Sequence, residues 1–360
     1  MKPYIISILI FLFFKAEAQT ASALNISQKA DSLFKRAKVY EGLGNVPQAL
    51  HYYEKANSEG NGNIQIAFNF AKLLAQSSIY QKADSIFEKL ALQFPNNPDF
   101  IYQRALIKEA QNDSTAVEIY KRTYLLDTNH INSAYKIARN YIENRKFKEA
   151  EPYINKGLSV DSTSVRFQIL LALKQFYAKD CHDAIATYNK LIGFGESNIQ
   201  IHENLASCYF YTNQFEKALD QYQILLKDFD DKNPKWHLAV AEVYKSLKDY
   251  KNAERHMDIA IALQEIPLSE SYMELAKIYK RQGNYKSEME ALKNALANNS
   301  NNEMALYNLA VAADNYFADK KVVLRYYENY LSQYSENGHM QDLTKQRISD
   351  IKKELHFSKN

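Results

Sequence analysis

Two ladders of alanine run through most of this chain, and no other feature constrains its fold so tightly. Ala37, Ala71, Ala105, Ala138, Ala172, Ala206, Ala241, Ala276 and Ala310 follow one another at steps of 33 to 35 residues. Twelve residues after most of these comes a second set, Ala49, Ala83, Ala116, Ala150, Ala184, Ala218 and Ala253, the third pair being one residue closer. Glu288 and Val322 take the second place in the last two units. A fixed period of roughly 20–50 residues marks a stack of small supersecondary units.

The residues between the alanines give each unit its interior. Around Leu205, Ala206 and Tyr209, and again around Ala218, Leu219 and Tyr222, apolar side chains recur at helical intervals of three and four. Each unit reads as two amphipathic helices of about 12 residues joined by a short turn. A small residue belongs where two helices cross, because it lets the backbones approach. Four residues on, along the second helix, a large group fills the wider gap: Tyr53, Phe87, Tyr120, Ile154, Tyr188, Tyr222, Met257, Leu292 and Tyr326. Three residues along the first helix the same role falls to Tyr40, Leu74, Tyr141, Tyr209, Tyr244 and Tyr279, a column that Lys108 and Gln175 break. Repeats three and five are therefore expected to pack less regularly. Gly44-Asn45 and Gly283-Asn284 punctuate units internally, while Pro95-Asn96-Asn97-Pro98 and Asn233-Pro234 separate them. Only nine glycines and seven prolines occur in 360 residues, too few for a chain of tight β turns, and 27 tyrosines against one tryptophan make Tyr a main filler of the interior.

A 34-residue helix–turn–helix with small residues at its eighth and twentieth places resembles the tetratricopeptide repeat. The resemblance covers roughly residues 30 to 335, with Ile199 to Lys232 as its best-matching unit. It implies an all-α fold, a right-handed α-solenoid of about nine repeats with a C-terminal capping helix. The units fall at about 30–63, 64–97, 98–130, 131–164, 165–198, 199–233, 234–268, 269–302 and 303–336, followed by a cap and tail over 337–360. The last unit fits least well, since Asp314-Asn315-Tyr316-Phe317-Ala318-Asp319-Lys320-Lys321 replaces a standard turn. The segment from about Gln341 to Leu355, rich in Lys, Gln and Asp, has the polar outer face of a helix that closes an apolar end. Because one repeat cannot bury its own apolar face, the units are expected to stack into one continuous superhelix.

The resemblance also implies where partners bind. In this family the second, fifth, ninth, twelfth and thirteenth places of each repeat generally face the concave surface, which takes an extended peptide or a partner helix. Carried over unit by unit, these places hold Tyr135, Arg139, Phe176, Tyr177, Phe210 and Tyr211, then Lys235, Lys245, Lys277, Lys280 and Arg281, with Glu242 and Glu270 among them. Phe176-Tyr177 and Phe210-Tyr211 are one repeat apart and are expected to form an apolar platform. The basic residues beside them suit a carboxylate, an acidic peptide or an anionic glycan; a solvated charged face is the plainer reading. The family's two-carboxylate clamp for chaperone C-termini is missing: Phe34 and Lys38, then Phe68 and Lys72, stand where it needs other residues.

The sequence gives catalysis no support. There is no glycine-rich phosphate loop and no nucleophile elbow. His202-Glu203 lacks the second histidine of a zinc-protease helix, and the eight histidines have no ligand spacing. No cofactor or metal is expected, and a net charge of only +3 gives no sequence-wide attraction to nucleic acid. Cys181 and Cys208 are expected near each other, either bonded in an oxidising compartment or, as their core-like places favour, as two buried thiols. At the N-terminus, Lys2, an apolar run from Tyr4 to Phe14 and Ala16-Glu17-Ala18 have the layout of a signal peptide over residues 1–18, with a lead-in over 19–29. The apolar run is too short to span a bilayer as a helix; retention of the segment as an anchor is the alternative. Together these features point to an exported, periplasmic or secreted, non-enzymatic scaffold that holds another protein, a peptide or a partner helix. A binding module for a glycan or lipid-linked anion and a self-assembling spacer are the other readings.

Overall fold

The computed structural model describes residues 28–60, 62–263, 268–335 and 337–357. The signal-peptide segment 1–18 and the lead-in up to residue 27 lie outside the described residues. Nineteen helices and no strand occur among those that are described. In the first half they are α1 (28–42), α2 (Val46–Glu59), α3 (Ile64–Gln76), α4 (Tyr80–Gln93), α5 (Pro98–Ala110), α6 (Ala116–Leu126), α7 (Ile131–Glu143) and α8 (Phe147–Val160). The chain continues with α9 (Val165–Tyr177), α10 (Cys181–Gly193), α11 (Ile199–Tyr211), α12 (Phe215–Asp228), α13 (Pro234–Ser246) and α14 (Tyr250–Leu263). It ends with α15 (Ser269–Gln282), α16 (Tyr285–Asn298), α17 (Glu303–Tyr316), α18 (Lys320–Gln333) and the single α19 (Gln341–Phe357). By its contacts the chain divides into two compact units, residues 1–174 and 175–360.

Capping residues explain where many of these helices begin. The side chains of Asn45, Asn63, Asn97, Asn198, Asn233, Asn284, Asn302 and Asp319 each accept a backbone N–H of the helix that follows. Each such cap contributes about 1 kcal/mol. Pro98 and Pro234 open α5 and α13, where a missing N–H costs nothing.

Eight turns inside the repeats share one backbone solution. Gly44, Ser78, Asn112, Arg145, Lys179, Asn213, Lys248 and Gly283 all have φ between 56° and 71°, the left-handed region. At each, that residue's N–H bonds the carbonyl three residues back, and the next N–H bonds the carbonyl five residues back; Lys179 to Phe176 (3.0 Å) and Asp180 to Gln175 (2.8 Å) are one case. This Schellman pattern closes the first helix and aims the chain into the second. Only two of the eight carry glycine, so the other six accept a cost of about 1 kcal/mol or more at the turn.

Within the first unit the alanine ladder is the seam of the core. Ala37, Ala49, Ala71, Ala83, Ala105, Ala138, Ala150 and Ala172 are all fully buried, with Tyr53 and Phe87 against them. The tightest approach is at Gly157 on α8, where an added Cβ would lie 2.4 Å from the buried Phe167 ring. The two polar residues of the large column find partners in their own repeats: Lys108 pairs with Asp113 at 3.4 Å, and, in the second unit, Gln175 accepts the Thr187 hydroxyl at 2.7 Å.

Within the second unit Ala184, Ala206, Ala218, Ala241, Ala253, Ala276 and Ala310 are buried in the same way. Glu288, at a small-residue place, is 2% exposed and its Oε2 has no hydrogen-bond partner, so burial pushes its carboxyl above the usual range. The last repeat departs from the sequence reading by one residue. Val323 and Tyr327, not Val322 and Tyr326, enter the core, because α17 runs on to Tyr316 and the segment before α18 displaces the frame. There α19 covers the end: Thr344, Ile348 and Ile351 are buried, the isoleucines against Ala310, Val323 and Tyr327.

Candidate partner-binding site

The aromatic pairs sit at the last residues of α9 and α11, just before left-handed turns at Lys179 and Asn213. The Phe176 and Phe210 carbonyls accept the N–H groups of those turn residues, both at 3.0 Å. Turn closure therefore fixes the backbone that presents each pair. Phe176 is half-buried with its ring 5.4 Å from that of Tyr177, which is 37% exposed. Phe210 is half-buried between Phe215 (5.6 Å) and Tyr211 (5.9 Å), and Tyr211 is 73% exposed. In both, the first ring anchors and the second projects.

Beside the second pair lies a hollow of about 110 Å³, lined by Ser207, Phe210, Tyr211, Tyr222, Ala239, Glu242 and Val243. One repeat supplies its aromatic wall and the next its small floor. The junction is held by the buried Trp236, whose Nε1 donates to Glu203 Oε1 at 2.6 Å.

The basic residues are more heavily paired than their spacing suggests. Lys245, with a side chain only 14% exposed, bridges Glu242 and Glu274, the latter at 3.0 Å. Lys277 adds a second contact to Glu274 at 2.5 Å. Burial alone would lower the Lys245 ammonium, but the hydrogen bonds it donates to both glutamates raise it above its ordinary value. Burial likewise opposes ionisation of Glu274, and the two lysines outweigh it and hold that carboxyl low. Lys235, Lys280 and Arg281 are exposed. In the first unit Tyr135 packs edge-on against Phe167 at 5.7 Å with the Arg166 guanidinium 5.2 Å above its ring, while Arg139 pairs with Glu143 at 2.8 Å.

One recurring feature was not read from the sequence. Tyr53 donates to Glu41 (2.6 Å), Tyr120 to Glu109 (2.6 Å) and Tyr327 to Asp314 (3.4 Å), tying a second-helix tyrosine to an acid at the end of the first helix. Lys136 adds 2.7 Å to Glu109, beside a concavity of about 290 Å³ that Arg139 also lines. An acid and a tyrosine 11 to 13 residues apart are the signal that marks it. The two cysteines are free thiols, Cys208 fully buried and Cys181 partly exposed. Among the described residues no cluster of three His, Cys, Asp or Glu could hold a metal ion, and no helix is long and apolar enough to cross a membrane.

Paired helices crossing on alanine, closed by one recurrent turn and ended by a cap, define an all-α helical-repeat solenoid. The chain is a tetratricopeptide-repeat protein: profiles of that repeat match residues 31–59, 131–164, 204–270 and 269–302. It is 24% identical to a TPR repeat-containing protein of Methanocaldococcus jannaschii, in an alignment covering 80% of this chain and 56% of that one. It is 20% identical to Superkiller protein 3 of Schizosaccharomyces pombe, over 74% of this chain and 21% of that one. The chain thus spans about half the length of the first relative and about a fifth of the second. Among solved structures, the C-terminal part of a TPR repeat-containing protein from Cytophaga hutchinsonii matches with a TM-score of 0.54 at 17% identity, covering 67% of this chain and 99% of that one. That likeness is one of fold.

Proposed function

We propose that this protein is a non-enzymatic scaffold that grips a segment of another protein through Phe176, Tyr177, Phe210 and Tyr211. The observation that carries the reading is Tyr211, a large ring 73% exposed at the rim of a hollow and backed by Phe210. Such a ring gives contact area with few torsions to freeze, which is why tyrosine is enriched in binding surfaces. Export by residues 1–18 would place the scaffold in the periplasm or outside the cell, within an envelope complex; the sequence alone supports that part. The ion pairs of Lys245 and Lys277 leave less free positive charge for an anionic glycan or lipid-linked ligand, and the protein-partner reading is the one we keep.

A photo-crosslinking residue placed at position 211 in intact cells tests the site. A discrete adduct is expected from position 211 and none from positions 92 and 125, where Leu92 and Leu125 are equally exposed. Equal adducts from all three positions, or none from 211, overturn it. Fractionation tests export separately: a chain found in the cytoplasm with residues 1–18 intact refutes it.

A further inference from the structure

The two cysteines occupy places that the fold brings together in other repeats. Cys181 opens the second helix of its repeat, and Cys208 is the tenth residue of the next. The same two places hold Tyr80 with Ile107 in one apolar cluster and Tyr250 with Ile278 in another. Here both partners are thiols in place of a large ring against an aliphatic chain. The α10 and α11 helices pack on each other, which sets the first residue of α10 and the tenth place of the next repeat at one helix–helix junction. Burial first, and then Cys181, push the Cys208 thiol up.

We propose that Cys181 and Cys208 are a disulfide-forming pair that, once oxidised, ties the α9–α10 turn to the end of α11 and fixes the spacing of the two aromatic pairs. The chain positions make that link direct. Cys181 follows Tyr177 by four residues across the Lys179 turn, and Cys208 precedes Phe210 by two. The thiols also divide the work. Cys181 is the partly exposed residue that an oxidant reaches, whereas Cys208 is fully buried.

The oxidant is a disulfide, either glutathione disulfide or an oxidoreductase carrying one. Cys181, as thiolate, attacks one sulfur of the oxidant and expels the other as a thiol, leaving a mixed disulfide. Cys208 then loses its proton, attacks Cys181 Sγ and expels the second thiol. Two protons and two electrons pass from the protein to the oxidant, with one S–S bond broken and one made. The pair stands whether or not the aromatic platform holds a protein partner.

The test uses the full chain, incubated with excess glutathione disulfide and then denatured without reductant. The expected product has no titratable thiol, a mass lower by two hydrogens and no glutathione adduct. Its amide exchange should slow at residues 178–180 and 209–213 relative to the reduced chain. Cys208→Ser should instead keep glutathione on Cys181, showing that Cys208 is the resolving thiol. Two surviving thiols, or a stable adduct on Cys181 of the unsubstituted chain, overturn the pairing. A bond that forms but leaves exchange at both segments unchanged overturns the latch.

Discussion

Eight repeats turn back on themselves through a left-handed residue, and the ninth does not. In the eight, the backbone alone closes the first helix, and the side chain at the turn is free to vary from glycine to lysine. In the ninth, Phe317 has φ −92° and caps α17 in an extended conformation, while Asp314 becomes the centre of a charged cluster. Its carboxylate accepts a two-pronged contact from Arg347 of α19 (2.6 and 3.0 Å), one from Lys320 (2.8 Å) and one from Tyr327 (3.4 Å). Burial opposes ionisation of Asp314, and these partners hold its carboxyl low regardless. The difference separates two tasks. A turn made only of backbone suits a unit that must be followed by another like it; a turn that recruits a distant arginine suits the unit that ends the series.

The sharpest way to break this contrast is Asp314→Ala, which strands Lys320, leaves Arg347 with Glu354 alone and should destabilise the second unit by about 2 kcal/mol, after allowing for partial exposure. Urea unfolding measures it. A loss no larger than for Asp113→Ala, an acid in an ordinary turn, would remove the distinction. Next comes Gly283→Ala, which forces a Cβ into left-handed backbone and should cost about 1 kcal/mol. The control Gly42→Ala, inside α1 with open space around it, should be neutral or stabilising in thermal melts. Lys248→Gly relieves the same strain and should gain about 0.5 kcal/mol, whereas Phe317→Gly should gain nothing.

The smallest effect expected is on pH. Glu303 accepts from Tyr330 (2.5 Å) and His339 (2.8 Å), which hold its carboxyl down to about 2 from an ordinary 4.5. That depressed group stabilises the segment leading into α19 above about pH 4.5 and loses its contribution as pH falls toward 2. His339, raised by the same contact, contributes fully below its ordinary 6.5 and loses this as pH rises through its shifted value. Protection from amide exchange at residues 337–341, taken relative to the intrinsic rate at each pH, should therefore be greatest between about pH 4.5 and 6.5, while residues 178–180 show no such maximum.

Much of the fold was legible because its strictest requirement is steric. Alanine at a helix crossing is needed wherever two backbones touch, so the ladders expose both helices of each unit. The turns were legible only at Gly44 and Gly283, since Lys179, Arg145 and Lys248 adopt the same backbone without a residue type that announces it. The frame shift that buries Val323 and Tyr327 was hidden for a related reason: neighbouring residues of similar character fit either register. At the candidate site, adjacency in sequence placed Phe176 beside Tyr177 and Phe210 beside Tyr211. The neutralisation of Lys245 by Glu274, 29 residues away, depends on how one repeat leans on the next, and no pattern within a repeat reports it.

Helix α19 has a bearing on molecular weight as well as on stability. The surface it covers, with Ala310, Val323 and Tyr327, is of the kind each repeat offers to its successor. Without the cap, a second molecule's first repeat could supply the missing successor, and the contact, being head-to-tail, has no symmetry that closes it. The seventeen residues of α19 thus keep that surface from a neighbouring molecule's repeat. Light scattering of a chain ending at residue 335 should show mass rising with concentration.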